Sequence, residues 1–252
     1  MTEGRAERMG SGIAEAQAPS RLLRLFATPP MACPYVEGLT ERQVVTLLAG
    51  DDPVDLHDRL TQAGFRRSYN IAYRPACEGC AACVPVRVRA QDFRMTRAMR
   101  RVAQRASALS VATLPAKALA DHYVLFHRYQ KARHADGAMA DMEYEDFRAM
   151  IEDSPVRTSL VEFRRDDGRL FGVAITDRVA DGLSMVYSFY EPDFEPASPG
   201  TAMILWHVER AAQLGLPHVY LGYWVERSPK MAYKARFKPI ERLGPEGWKD
   251  LG

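Results

Sequence analysis

Four cysteines, Cys33 and the run Cys77-x2-Cys80-x2-Cys83, constrain this chain more tightly than any other feature. The run lies between Pro75 and Pro85 with Gly79 inside it. Proline interrupts a helix and glycine favours a turn, so the segment reads as a knuckle on which three sulfurs converge. Thiolates spaced in this way suit tetrahedral zinc or an iron-sulfur cluster. The double x2 spacing is close to a ferredoxin-type run whose fourth ligand comes from elsewhere. Cys33 is the candidate to complete a metal set with Cys77, Cys80 and Cys83. The simpler alternative is four reduced thiols partly in the core, because zinc ribbons normally bring two CxxC pairs. Cysteines used for metal rather than for disulfides fit a reducing cytoplasm.

With 252 residues, 47% of them hydrophobic, the chain can bury a sizeable core as one large or two small domains. The net charge is only +2, but between Val84 and Arg105 seven arginines face the single acid Asp92, a local +6 that leaves −4 elsewhere. The basic charge is therefore a patch. No apolar stretch approaches the roughly 18 residues of a bilayer span, so a soluble, cytoplasmic protein without a membrane partner is expected. Residues 1–20, with Glu3, Glu7 and Glu15, lack the apolar centre of a signal peptide and read as a disordered tail.

Along the chain, Leu22 to Phe26 reads as a strand, Asp55 to Gln62 as a helix stopped by Gly64, and Phe65 to Tyr73 and Val84 to Arg89 as strands flanking the knuckle. Asp92 to Arg105 reads as a helix with Met95, Met99, Val102 and Ala106 on one side. Arg94, Arg97, Arg101 and Arg105 line the other, an arginine ridge anchored from behind. A domain seam is placed near Leu109 to Pro115. Beyond it come helices over Lys117 to Arg133 and Tyr144 to Glu152, then strands over Thr158 to Arg164, Leu170 to Arg178 and Leu183 to Tyr190. The last two strands pair through the Asp181-Gly182 turn signal. A helix over Thr201 to Leu214, a strand over His218 to Tyr223 and a short helix begun by Ser228-Pro229 complete a mixed α/β order.

The chain lacks a Walker loop, a GxGxxG fingerprint, a GxSxG elbow and an HExxH helix, which moves nucleotide hydrolases, dinucleotide oxidoreductases and ordinary serine hydrolases out of the front rank. Arginines at helical spacing can be a solvated face, but a one-sided ridge also suits a phosphate backbone, and arginine stacks on unpaired bases. Gly200 at a helix start is a candidate phosphate contact and, more blandly, an ordinary helix beginning. His134-Ala135-Asp136-Gly137 places an imidazole near a carboxylate in a loop. Tyr220, Tyr223, Trp224 and Tyr233 interleave with Lys230, Lys234, Arg236 and Lys238, either as core with a basic rim or as a site.

These pieces together resemble a family. Cys33-Pro34-Tyr35, Gly64-Phe65-Arg66-Arg67-Ser68, Tyr73-Arg74-Pro75, the cysteine run continuing into Val84-Pro85-Val86-Arg87, Arg128-Tyr129, Arg133-His134-Ala135-Asp136-Gly137, Asp181-Gly182-Leu183-Ser184, Tyr220-Leu221-Gly222-Tyr223-Trp224 and Lys230-Met231-Ala232-Tyr233-Lys234 occur in order. In that order they are similar to the bacterial aspartate/glutamate leucyltransferases, relatives of the eukaryotic arginyl-tRNA protein transferases. The chain departs at Val36-Glu37-Gly38-Leu39, where Leu-Pro-Gly-Arg is expected, and at Ser228, where many relatives carry cysteine.

The resemblance implies transfer of leucine from leucyl-tRNA to the amino group of proteins beginning with Asp or Glu, marking them for N-degron degradation. It also implies an N-terminal cysteine- and arginine-rich domain over residues 21–114 and a GNAT-like acyltransferase domain over residues 115–252. No cofactor is required for transfer. In the roles expected, the ridge Arg94, Arg97, Arg101 and Arg105 contacts tRNA, Arg74 or Arg133 meets the acidic side chain of the acceptor, and His134 and Asp136 orient or deprotonate its amine. Tyr187, Tyr223, Tyr233 and Lys234 line the donor end. The rivals are an arginyl-tRNA transferase, whose donor needs a buried carboxylate, a non-enzymatic metal-binding RNA adaptor, and an acetyltransferase using acetyl-coenzyme A at the Gly200 helix start.

Overall fold

The computed structural model describes residues 23–135, 137, 139–193 and 198–252, so the tail over residues 1–20 and Asp136 lie outside the described residues. Short strands β1 (Phe26–Ala27), β2 (Met31–Ala32) and β3 (Thr40–Glu41) precede β4 (Gln43–Leu47) and helix α1 (Pro53–Gln62). A hairpin of β5 (Arg66–Ser68) and β6 (Ile71–Pro75) leads through the cysteine loop to β7 (Val84–Arg89), α2 (Arg97–Ala106) and β8 (Ser110–Pro115). Helices α3 (Ala120–Arg133) and α4 (Tyr144–Glu152) precede the meander β9 (Thr158–Arg164), β10 (Leu170–Val179) and β11 (Gly182–Tyr190). The chain ends with α5 (Pro199–Gln213), β12 (His218–Trp224), α6 (Pro229–Ala232) with a 3-10 turn over Tyr233–Arg236, and the hairpin β13 (Ile240–Gly244) and β14 (Gly247–Asp250). This is the mixed α/β class expected.

Local chemistry sets the helix starts. Asp52 accepts the Asp55 amide at 2.9 Å and Pro53 occupies the first turn of α1. Thr96 accepts the Met99 amide at 3.3 Å, so α2 begins at Arg97 rather than at Asp92, and Arg94 falls in the preceding loop. The segment expected as one strand from Phe65 to Tyr73 is a hairpin that reverses at Tyr69, whose φ is 51°.

An eight-stranded sheet runs β14-β13-β7-β12-β11-β10-β9-β8, beside a four-stranded sheet of order β1-β4-β6-β5. The seam expected near Leu109 to Pro115 falls on β8, an edge strand of the large sheet, while β7 lies near its middle against β12 and β13. A cut at 114/115 would remove two strands from one hydrogen-bonded sheet. Helices cover both faces. Phe126, Phe147 and Ile151 from α3 and α4 pack with Leu160, Val173, Ile175 and Phe189 on one side. On the other, Ile204, Leu205, Val208 and Ala211 of α5 and Met99 of α2 pack with Val86, Val88, Val219 and Leu221.

One buried ion pair fastens the small sheet to the large one. Arg67 of β5 donates from Nε to Asp177 Oδ2 at 2.6 Å and from Nη2 to Oδ1 at 2.8 Å, and the two side chains are 1% and 0% exposed. Thr158 donates its hydroxyl to the same carboxylate at 2.6 Å, and Arg67 Nη1 donates to the Tyr69 carbonyl at 2.9 Å. On α1, Asp58 accepts the Ala180 amide at 3.1 Å.

Removing one member of such a pair strands the other in low dielectric. Asp177→Ala should lose about 3–5 kcal/mol in urea unfolding, whereas the double replacement Arg67→Met with Asp177→Leu should recover most of that loss. Equal losses in single and double variants would show that the pair does not act as a unit.

Candidate active site

The cleft exists because two neighbouring strands part. β11 and β12 run parallel but pair only over Gly182–Ser184 and His218–Tyr220, and β12 is irregular between Tyr220 and Gly222. Past that point no ladder bonds join them, and backbone carbonyls are left to find donors elsewhere. Arg66 supplies them from the small sheet: its Nη2 donates to the Met185 carbonyl at 3.0 Å and the Val186 carbonyl at 2.5 Å. Gly222 makes room for it. Its φ is +73°, and a Cβ there would stand 1.4 Å from Arg66 Nη1.

The opening holds a cavity of about 680 Å³. Its lining includes Tyr69 and Tyr73 of the small sheet, Tyr129 and His134 at the end of α3, Gly200 and Ile204 at the start of α5, and Lys230, Met231, Tyr233 and Lys234 after β12. Met139, Met142, Met150, Ile175 and Tyr187 belong to one apolar cluster and form an oily wall. The charged groups on the lining are Arg66, Arg67, His134 when protonated, Lys230 and Lys234, and Arg67 is taken by Asp177. Among the described residues no Asp or Glu lines this cavity.

Lys234 is buried, and its ammonium donates to the Tyr223 carbonyl at 2.7 Å. Burial, and then the neighbouring Arg66 cation, lower its pKa from 10.5 to about 7. His134 is half-buried with its ring 5.6 Å from that of Tyr129. Burial, then Lys230 and Arg133, lower its pKa, which keeps the imidazole neutral near neutral pH. Tyr187 accepts from Gln130 Nε2 at 2.9 Å, and burial raises its pKa. Tyr223 is committed structurally, since its hydroxyl reaches the Gly64 and Tyr73 carbonyls at 3.1 Å each.

The structure thus brings His134, Tyr187, Tyr223, Tyr233 and Lys234 into one cleft. It does not bring Arg74 or Arg133 there. Arg74 follows Tyr73 on β6, and strand alternation turns it outward, exposed and donating to the Ala63 carbonyl at 3.1 Å. Arg133 is exposed in the last turn of α3 and absent from the lining. Neither lines the cavity. Arg94, Arg97, Arg101 and Arg105 are all exposed, and Arg100 adds a further cation to that helix. Asp136 lies outside the described residues.

The four thiols are neighbours. Burial and then Cys33, Cys77 and Cys80 raise the Cys83 thiol to about 11, so all four lie within electrostatic reach. Yet Cys77 Sγ is engaged with the Arg42 backbone, and among the described residues no three His, Cys, Asp or Glu side chains are arranged to hold a metal ion. The set expected from spacing has the right donor chemistry, and no step of the chemistry is routed through a metal.

A cleft between parted strands, with an oily wall, cations and two nitrogen bases of lowered pKa, is the equipment of a group transferase. Family models described as "Arginine-tRNA-protein transferase, N terminus" and "Arginine-tRNA-protein transferase, C terminus" match residues 31–101 and 121–244. The chain is 53% identical to the aspartate/glutamate leucyltransferase of Paramagnetospirillum magneticum over 89% of its length and 92% of that protein's. It is 54% identical to the one of Parvibaculum lavamentivorans over 92% and 97% respectively. A solved structure, L-PGS from Bacillus licheniformis, is similar at a TM-score of 0.43 and 9% identity over 57% of this chain and 46% of that one. The chain belongs to the aspartate/glutamate leucyltransferase family, as the motif resemblance implied. Among the described residues no helix is long and apolar enough to cross a membrane.

The lowered pKa of Lys234 has a sign that stability measurements read directly. Its folded value lies below the unfolded one, so the buried ammonium destabilises the fold fully below about pH 7, and the cost fades as pH rises toward 10.5. Lys234→Met should therefore gain stability relative to the parent at pH 6, and the gain should shrink by a few kcal/mol by pH 10, at about 1.4 kcal/mol per pKa unit. A difference in unfolding free energy that stays flat across this range would show that Lys234 titrates normally.

Proposed function

We propose that this chain transfers leucine from leucyl-tRNA to the α-amino group of proteins that begin with Asp or Glu. The observation that carries the reading is the sign of the cleft: Arg66, Lys230 and Lys234 on its lining and, among the described residues, no carboxylate. An arginyl donor would meet like charges with nothing to pair its guanidinium, whereas leucine finds Met139, Met142, Met150 and Ile175. At an effective dielectric constant of 20, two like charges 4 Å apart repel by about 4 kcal/mol. The same field attracts an acidic acceptor and the phosphates of a tRNA 3′ end.

The chemistry needs no covalent intermediate, because the aminoacyl ester arrives activated. The acceptor nitrogen attacks the ester carbonyl carbon, the C–N bond forms, and the bond to the 3′ ribose oxygen breaks. The amine's proton passes to neutral His134 and from there to the departing ribose oxygen. An α-amino group with a pKa of about 7.7–8.0 requires only modest help, so alignment carries most of the rate. The exposed arginines of α2 with Arg94 serve the tRNA body. Their side chains face solvent while Met99 is held in the core.

Labelled leucine from leucyl-tRNA should appear on peptides starting with Asp or Glu and not on those starting with Ala, and labelled arginine from arginyl-tRNA should appear on none. Arginine transfer would overturn the donor assignment. His134→Ala should lower kcat by about 100-fold or more at pH 7 with tRNA binding retained. For the ridge, Arg97→Ala with Arg101→Ala should flatten the slope of log K against log salt for tRNA by about 1.5 units. An unchanged slope would remove these arginines from the tRNA contact.

A further inference from the structure

We infer that Arg66 and Lys234 together form the site that recognises the acidic side chain of the acceptor's first residue. The inference rests on the leucyl-transfer reading and adds to it the residues that select the acceptor.

Both cations stand at the same break in the sheet. Arg66 crosses from β5 into the gap between β11 and β12, against Gly222, and Lys234 bonds to the carbonyl of the next residue, Tyr223. Neither has a carboxylate partner among the described residues, whereas the adjacent Arg67 is paired with Asp177. A guanidinium carries five N–H donors in a planar fork, and the two carbonyl bonds of Arg66 use only its Nη2. Two neighbouring cations taken out of water without a counter-ion are costly, and a carboxylate arriving between them removes that cost. The donors left on Nε and Nη1 of Arg66 can each meet a carboxylate oxygen, and the buried Lys234 ammonium adds a point charge beside them.

This arrangement reads charge more than length. Asp and Glu differ by one methylene but carry the same charge, so both are accepted. Asn and Gln have nearly the same shape but leave both cations uncompensated. Arg74 and Arg133 are absent from the cavity lining.

The experiment compares peptides starting with Asp, Glu, Asn and Gln in two readouts. One is kcat/KM for leucine transfer, and the other is binding of the same fluorescent peptides to the full chain without tRNA. The parent should prefer Glu over Gln in both. Lys234→Met and Arg66→Lys should each reduce the Glu-to-Gln ratio by about 10- to 100-fold, mainly through KM. Lys234→Glu should shift preference toward peptides starting with Lys. Should Arg66→Lys fail to fold, as its place between the strands allows, the two Lys234 variants decide the matter. An unchanged Glu-to-Gln ratio in folded Lys234→Met overturns the assignment. Parent protein that binds acidic peptides selectively but transfers no leucine would instead overturn the transfer reading and leave the site standing.

Discussion

The Arg67–Asp177 pair is the constraint on which the cleft depends. It joins a strand of the small sheet to the centre of the large one across 110 residues of sequence, with both charges out of water. Because side chains alternate along a strand, fixing Arg67 against β10 sends its neighbour Arg66 the other way, into the gap between β11 and β12. One electrostatic contact thus places a second cation with strand-level accuracy. The Tyr223 hydroxyl, reaching back to Gly64 and Tyr73, ties the same two sheets from the opposite direction.

From there the electrostatics propagate through neighbours. Arg66 replaces missing ladder bonds to Met185 and Val186, which holds the strands apart without leaving their carbonyls bare. The same guanidinium acts with burial to depress Lys234, so the cleft stores one fixed cation and one that is half-titrated near neutral pH. Gly222 is indispensable to this packing, since its left-handed backbone and missing Cβ are what let a charged side chain lie against β12.

Much of the fold was legible in local signals. β10 and β11 pair as a hairpin as expected, though its turn lies on Ala180 and Asp181 with Gly182 already in β11, and α4 spans the residues its pattern marks. Two of the strands missed depend on distant partners. β8 reads Ser-Val-Ala-Thr-Leu-Pro, is largely exposed at a sheet edge and mimics a linker, and β13 owes its place to β7, more than 150 residues earlier. In the site, the aromatic and lysine cluster after β12 was visible because its residues are close in sequence. Arg66 was not. Nothing local distinguishes it from Arg67, and the difference between a pinned arginine and an open one is written in Asp177, far along the chain. Arg74 drew attention as a cation in a motif, yet one residue of strand register turns it to solvent.

A single sign of charge resolves two selections that would otherwise need two devices. A transferase in this family must accept an acidic acceptor and choose among aminoacyl donors that share an identical tRNA end. Methionine walls are poor discriminators, because flexible thioethers repack around many apolar side chains. A hydrophobic pocket separates one methylene by only about 10- to 200-fold. Exclusion of a basic donor therefore falls to charge, and the lining carries cations beside the oily wall with no carboxylate among the described residues. The cations that draw in the acceptor's carboxylate are the same ones that repel a guanidinium on the donor. Donor and acceptor specificity are then coupled through Arg66 and Lys234, and a carboxylate introduced into that wall would weaken both at once.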